Sequence, residues 1–292
     1  MEIAVLGAGF MGGGIAQVCA GAGHRVRLWD QTQALAERGL EAIAKSLDKR
    51  VAKGKETRAR AEEVLGRVTP VDDLERAARG TDWIVEVILE DRDIKKGLLS
   101  EAERCCGEGT LISSNTSSIP ITQLAEALQR PERFLGTHFF SPVPAMRLVE
   151  IIRGERTAPE AAERAREIIS GIGKTGVLVK DSPGFLVNRI NYALRMEAYR
   201  CLEEGIASVE DIDTALKLGL NHPMGPFELN DMTGLDVGLA GLETLYRATG
   251  EERWRPTGRV RRLVEAGELG RKSGKGWYDY TDGEKKARRD LA

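Results

Sequence analysis

The chain has 292 residues, 43 Lys and Arg against 45 Asp and Glu for a formal net charge of −2, and 41% hydrophobic residues. That length implies about two domains, the composition is enough for a buried core, and the near-zero charge argues against a nucleic-acid or membrane-surface partner held by bulk electrostatics. The four cysteines, Cys19, Cys105, Cys106 and Cys201, are too few for a disulfide scaffold and lack metal-ligand spacing, so a reducing, cytoplasmic compartment and no bound metal are expected. Residues 3–23 form an uncharged run of 21 residues, long enough to span a membrane. Seven of them are glycine and Glu2 stands where a positive flank belongs, which argues against both a span and a signal peptide. The run reads instead as a strand at 3–6 and a helix at 14–22. Strand-like segments at 26–29, 83–87, 111–114 and 134–139 then alternate with helical segments at 35–53, 93–105 and 121–128, the pattern of βαβ units on a parallel sheet. Two more strand-like segments, 147–153 and 176–180, flank a helix at 159–171 that opens on a proline.

The texture changes at Asp181-Ser182-Pro183-Gly184, a turn or linker. Beyond it the pattern is helical at 185–204 and again at 212–218, where Ser208 and Asp211 have the spacing of a capping box. No later strand is evident, and the charged tail 284–292 is expected to fray. The expected architecture is α/β: a mostly parallel sheet with added strands in residues 1–182, then an all-helical domain in 183–292.

Gly7-Ala8-Gly9-Phe10-Met11-Gly12 follows the first strand and opens a helix. In that context the glycines suit a tight turn, close approach of a pyrophosphate and close helix–strand packing, with phosphate charge at a helix N-terminus. Asp30, at the end of the next strand, can accept hydrogen bonds from an adenosine ribose and repels a 2′-phosphate, favouring NAD over NADP. Of three histidines, His24 and His222 lie in turn-like segments that suit structural roles. His138 falls near the C-terminal end of a predicted strand, where ligands of open parallel sheets bind. Glu150 lies in an apolar strand-like run and needs a partner if it is buried. A His138–Glu150 pair would orient the imidazole as a general base. The alternative places Glu150 on the solvent face of an edge strand. The loop 113–118 offers hydroxyls to a ligand or simply caps a turn. Asn188, early in the first helix of the second domain, is a substrate donor or a domain-interface hydrogen bond. Lys49 and Lys53, one helical turn apart, are a solvated face or a site for phosphates.

These residues resemble the NAD-dependent L-3-hydroxyacyl-CoA dehydrogenases, closest to the single-function 3-hydroxybutyryl-CoA type. The resemblance runs from Ile3 to about Tyr280, through GAGFMGGGIAQ (7–17), Asp30, SSNTSSIPIT (113–122), HFFSPVPAMRLVEIIRG (138–154), DSPGFLVNRI (181–190), GIASVEDIDTALKLGLNHPMGPFEL (205–229) and LGRKSGKGWYDY (269–280). It implies a Rossmann-like NAD-binding domain and a helical domain that forms most of a homodimer interface. It implies His138 as general base, Glu150 as its carboxylate partner, Ser117 as hydrogen-bond donor to the reacting oxygen, and Asn188 as a substrate contact. It further implies Glu90, Lys95 and Lys272 as cofactor contacts, with Ser46 and Lys53 holding CoA and Lys49 beside them. Ser141 departs from the asparagine usual in the family; it is shorter, with one fewer donor. The expected ligands are NAD and a short-chain acyl-CoA. Two other functions fit the same architecture: a dehydrogenase of a free hydroxy acid such as a sugar acid, or a non-catalytic NAD-binding protein.

Overall fold

A computed structural model describes residues 1–291. The chain divides into two compact units, Met1–Ser182 and Pro183–Ala292.

The first unit runs β1 (Glu2–Leu6), α1 (Phe10–Gly21), β2 (Arg25–Trp29), α2 (Gln33–Ala52), α3 (Arg58–Leu65), β3 (Val68–Val71), α4 (Leu74–Ala78), β4 (Trp83–Glu86), α5 (Arg92–Cys105), β5 (Leu111–Ser114), α6 (Ile121–Ala125), β6 (Phe134–Phe139), β7 (Leu148–Arg153), α7 (Pro159–Gly171) and β8 (Thr175–Lys180). The strands form one sheet in the order β3-β2-β1-β4-β5-β6-β7-β8. The first six are parallel, β7 is antiparallel to β6, and β8 is parallel to β7. Strand order reverses between β1 and β4, and in open α/β sheets ligands bind outside the strands' C-terminal ends at such a point. Helices cover the sheet, so Ile3, Ala4, Val5 and Leu6 of the central strand are all fully buried, as an apolar run without alternation requires. Thr32 caps α2 by accepting from the Leu35 amide, and Asp91 caps α5 by accepting from the Asp93 and Ile94 amides.

Three short elements escape the sequence pattern. Strand β3 contains Pro70, which is tolerated because β3 is an edge strand paired only with β2. Helices α3 and α4 have 8 and 5 residues and rest on the caps Thr57 and Asp73, too short to show a periodicity. The uncharged run 3–23 becomes β1, a turn and α1. Among the described residues no helix is long and apolar enough to cross a membrane.

The second unit is helical: α8 (Val187–Glu203), α9 (Val209–Gly219), α10 (Pro226–Thr233), α11 (Leu235–Thr249) and α12 (Gly258–Glu265). They close around Tyr199, Phe227, Trp254 and Trp277. One addition amends the helical reading: β9 (Tyr278–Asp279) and β10 (Lys286–Ala287) form a two-stranded antiparallel sheet. The tail is also better held than its charge suggests. Arg288 donates to Glu268 Oε2 at 2.5 Å and to the Gly276 carbonyl at 2.6 Å, and Leu291 is buried in the core of the unit.

Candidate active site

The turn after β1 is built by its glycines. Gly7 has φ +117°, and a Cβ there would lie 2.6 Å from the Val87 carbonyl oxygen; a Cβ on Gly12 would lie 1.8 Å from the Gly7 carbonyl oxygen. Both positions therefore exclude any side chain. Gly9 differs, because nothing lies within 4 Å of where its Cβ would stand. It is the N-cap of α1 and provides no side-chain cap. Open space in front of uncapped helix N–H groups fits a pyrophosphate. Ala8 belongs to the same turn, and Phe10, 76% exposed, and Met11 open α1 beside it. Asp30 accepts from the Ala8 amide at 2.9 Å through one carboxylate oxygen and from the Gln31 amide at 2.8 Å through the other. Its carboxylate is thereby fixed against the turn with lone pairs left for a ribose hydroxyl.

A buried ionic cluster sits at the ends of β4 and β5. Lys95 on α5 is 1% exposed, and its Nζ lies 2.6 Å from Glu86 Oε1 and 3.4 Å from Glu90 Oε2. Glu86 also accepts from the Ile88 amide at 2.7 Å and from the Ser114 hydroxyl. Glu90 gathers the loop after β5. Its Oε1 accepts from the Thr116 hydroxyl at 2.7 Å, the Ser117 amide at 2.9 Å and hydroxyl at 3.3 Å, and the Ser118 amide at 3.0 Å and hydroxyl at 2.9 Å. Burial pushes the Glu90 carboxyl up, but the Thr116 hydrogen bond, the Lys95 ammonium and the serine donors outweigh it and hold it below the usual carboxylate range. Ser117 is exposed and held by Glu90. Lys95 is enclosed, so its charge acts on any ligand through Glu90 rather than by contact.

His138 and Glu150 are direct partners in the antiparallel register of β6 and β7. His138 Nδ1 lies 2.7 Å from Glu150 Oε2, with Glu150 fully buried and His138 6% exposed. The Phe140 ring packs 4.6 Å from the imidazole, centroid to centroid. Asn115, which the sequence did not single out, links the loop after β5 to this strand: its Oδ1 accepts from the Phe139 amide at 2.8 Å. Glu86 also went unnoticed, although a carboxylate inside the apolar run 83–89 was a usable signal.

Ser141 is exposed in the β6–β7 connection. The same connection reaches α1, where a Cβ on Gly14 would lie 2.9 Å from Val143 Cβ. A cavity of 250 Å³ lies between α1, α2 and residues 142–145, and Gly9, Ser46 and Arg50 are in its lining. Lys49 and Lys53 are exposed and are not in that lining. Arg50, one turn beyond Ser46, is a basic residue of α2 that does line it. In the second unit, Asn188 lies in the first turn of α8 and is half-buried. Lys272 lies 2.6 Å from Asp236 at the start of α11. No group of three or more His, Cys, Asp or Glu among the described residues could hold a metal.

The parallel sheet with its reversed strand order, the glycine turn facing Asp30 and a histidine–carboxylate pair at the strand ends together define a dinucleotide-dependent dehydrogenase. The family model described as "3-hydroxyacyl-CoA dehydrogenase, NAD binding domain" matches residues 2–182, and "3-hydroxyacyl-CoA dehydrogenase, C-terminal domain" matches residues 184–280. A probable 3-hydroxybutyryl-CoA dehydrogenase of Deinococcus radiodurans is 47% identical over 280 residues, 96% of this chain and 100% of that protein. Another from Bacillus subtilis is 43% identical, covering 96% and 98%. The crystal structure of (S)-3-hydroxybutyryl-CoA dehydrogenase from Ralstonia eutropha superposes with a TM-score of 0.92 at 43% identity, covering 96% of this chain and 98% of that one. The chain belongs to the 3-hydroxyacyl-CoA dehydrogenase family and is an NAD-dependent oxidoreductase.

Proposed function

We propose that the protein interconverts (S)-3-hydroxyacyl-CoA and 3-ketoacyl-CoA, with 3-hydroxybutyryl-CoA and acetoacetyl-CoA as its short-chain pair. The observation that carries this reading is the buried His138–Glu150 contact at the C-terminal end of β6, beside the loop held by Glu90. Glu150 on Nδ1 sets the imidazole so that Nε2 is the basic nitrogen. His138 takes the proton of the substrate hydroxyl, and Glu150 stabilises the imidazolium that forms. In the other direction His138 returns that proton to the oxygen of the 3-keto group. NAD, when bound, supplies the hydride acceptor. Gly7, Ala8, Gly9, Phe10, Met11, Gly12 and Asp30 would hold its pyrophosphate and ribose, and Glu90 and Ser141 would border its nicotinamide end. Lys272 would be a further cofactor contact from the second unit. Ser117 would turn from Glu90 to the reacting oxygen, and Asn188 would hold the substrate.

Ser46 and Arg50 would line the path of the CoA arm, with Lys49 and Lys53 at its outer end. Ile206, Leu218 and Leu220 of the second unit are 66%, 83% and 61% exposed, an apolar surface suited to a homodimer. The four free cysteines suit a reducing, cytoplasmic setting, and an acyl-CoA substrate would give the protein a part in fatty-acid metabolism there. The test mixes protein, NADH and acetoacetyl-CoA and follows NADH absorbance. Rapid oxidation is expected. No oxidation at high enzyme concentration, with turnover of a free hydroxy acid and NAD instead, would overturn the reading.

A further inference from the structure

Glu86 closes β4 and is fully buried. Its carboxylate belongs to a closed ring of contacts. Oε2 accepts from the Ser114 hydroxyl, and that hydroxyl oxygen accepts from the Thr116 amide at 3.2 Å. The Thr116 hydroxyl donates to Glu90 Oε1 at 2.7 Å, and Glu90 Oε2 lies 3.4 Å from Lys95 Nζ. Lys95 Nζ donates back to Glu86 Oε1 at 2.6 Å. Ser114, Thr116 and Lys95 are buried with Glu86. The ring therefore opens at one member, Glu90, whose side chain is 37% exposed.

Two carboxylates share one ammonium, a net charge of −1, and among the described residues no other cation pairs with either acid. The lysine is shared unequally. It donates to Glu86 at 2.6 Å and to the Ile88 carbonyl at 3.2 Å, and only the longer contact of 3.4 Å reaches Glu90. Glu86 thus takes up most of the lysine's charge, and the uncompensated negative charge stands at Glu90. Without the charge of Glu86, Lys95 would have Glu90 as its only anion and the ring would be neutral. The inner pair is out of water, so solvent and salt screen its effect on Glu90 only weakly.

We propose that Glu86 is a positioning residue that, by holding Lys95 back from Glu90, keeps a net negative charge at the cofactor and raises the protein's affinity for NAD⁺ relative to NADH. This rests on the reading that Glu90 borders the nicotinamide end. The oxidised nicotinamide ring carries a positive charge and the reduced ring carries none, so a charge of fixed sign beside it tells the two forms apart. The shared parts of the cofactor, its pyrophosphate and riboses, contribute to both forms alike. Glu86 is sealed and touches no ligand; it acts through Lys95 and Glu90. A glutamine in its place has the same shape and can still accept from Lys95 and the Ile88 amide through its oxygen. What it lacks is the charge.

The test titrates NAD⁺ and NADH separately onto the protein by calorimetry, without substrate. Glu86→Gln should weaken NAD⁺ relative to NADH, shifting the ratio of their dissociation constants by roughly 5- to 20-fold, the scale of one nearby charge in a partly desolvated site. Glu86→Asp keeps the charge and should hold the ratio near that of the wild type. Glu86→Gln combined with Lys95→Met removes both charges of the inner pair, a change that buried pairs often tolerate. It leaves Glu90 as the one charge of the ring and should bring the ratio back toward the wild type, also where Glu86→Gln alone folds poorly. Equal weakening of both forms in Glu86→Gln marks a merely structural role and overturns the proposal. So does an unchanged ratio in that variant, or a double variant whose ratio departs from the wild type. Glu90→Gln is the separate check. An unchanged ratio there defeats the reading that Glu90 borders the nicotinamide, while a shift there without one in Glu86→Gln defeats only the role of Glu86.

Discussion

The two units bury carboxylates in different ways. In the first, Glu150 and Glu86 face groups that carry or exchange a proton, the His138 imidazole and the Lys95 ammonium. In the second, Asp213 and Asp231 face backbone amides and phenols. Asp231 accepts from the Trp277 amide at 2.8 Å, the Tyr278 amide at 2.9 Å and the Tyr280 hydroxyl at 3.0 Å. Asp213 accepts from the Phe227 amide at 2.9 Å, the Glu228 amide at 3.0 Å and the Tyr278 hydroxyl at 2.7 Å. Burial raises both, Asp231 to about 6, against the hydrogen bonds that lower it. These two aspartates tie α9, α10 and the C-terminal strands together, and among the described residues neither forms an ion pair. The carboxylates of the first unit thus face ionisable side-chain nitrogens, while the two aspartates of the second act as hydrogen-bond anchors.

Substitutions sharpen the contrast. The largest effect is expected at the histidine. His138→Gln should lower turnover by at least about 100-fold while NAD still binds, read by steady-state rates beside cofactor titration; near-wild-type turnover would remove His138 from the mechanism. Glu150→Gln should follow with a loss between about 10- and 1,000-fold, since the imidazole keeps its place but loses the charge that stabilises its protonated form.

Asp231→Asn should act on stability instead. It sets an NH₂ against donors that need an acceptor and should lower unfolding free energy by about 2 kcal/mol, with turnover per folded molecule unchanged within about 2-fold. Because the folded-state value is raised, the stability contributed by Asp231 is complete below the ordinary aspartate range and is lost as pH rises through about 6. The gap between wild type and Asp231→Asn should therefore be wider in denaturant titrations near pH ~4 than near pH ~7.

The smallest effect has the opposite sign. Burial opposes the charge of Glu228, but Lys285, Lys217 and the Gly225 amide hold its carboxyl down at about 2. Its contribution is present above the ordinary glutamate value and disappears as pH falls toward about 2. Glu228→Gln should cost on the order of 1 kcal/mol at neutral pH, both lysines being partly exposed, and the difference from wild type should close on acidification. A gap that widens instead would reverse the assignment.

Much of the first unit was legible because its signals are local. A fully buried strand must be a continuous apolar run, and a turn at +117° with no room for a Cβ must be glycine. The short charged helices α3 and α4 and the proline-bearing edge strand β3 were not legible, since few residues give no period to read. In the tail, Arg288 and Leu291 are held by Glu268 and by the core of the second unit, contacts made with groups distant in sequence. The meeting of His138 with Glu150 lies between these cases. Twelve residues and a proline-containing turn suggest a partner, and the antiparallel register of β6 and β7 puts the two side chains opposite each other.

The sequence by itself determined the alternation of strands and helices, the glycine turn with its acid, and the family, because each is written in neighbouring residues. Only the tertiary structure decided that Lys95 is sealed behind Glu90, that Ser117 is gathered onto that same carboxylate, and that Arg195 lies buried against Gly238 of another helix. Burial and pairing are properties of what packs against a residue, and those neighbours belong to other elements of the fold.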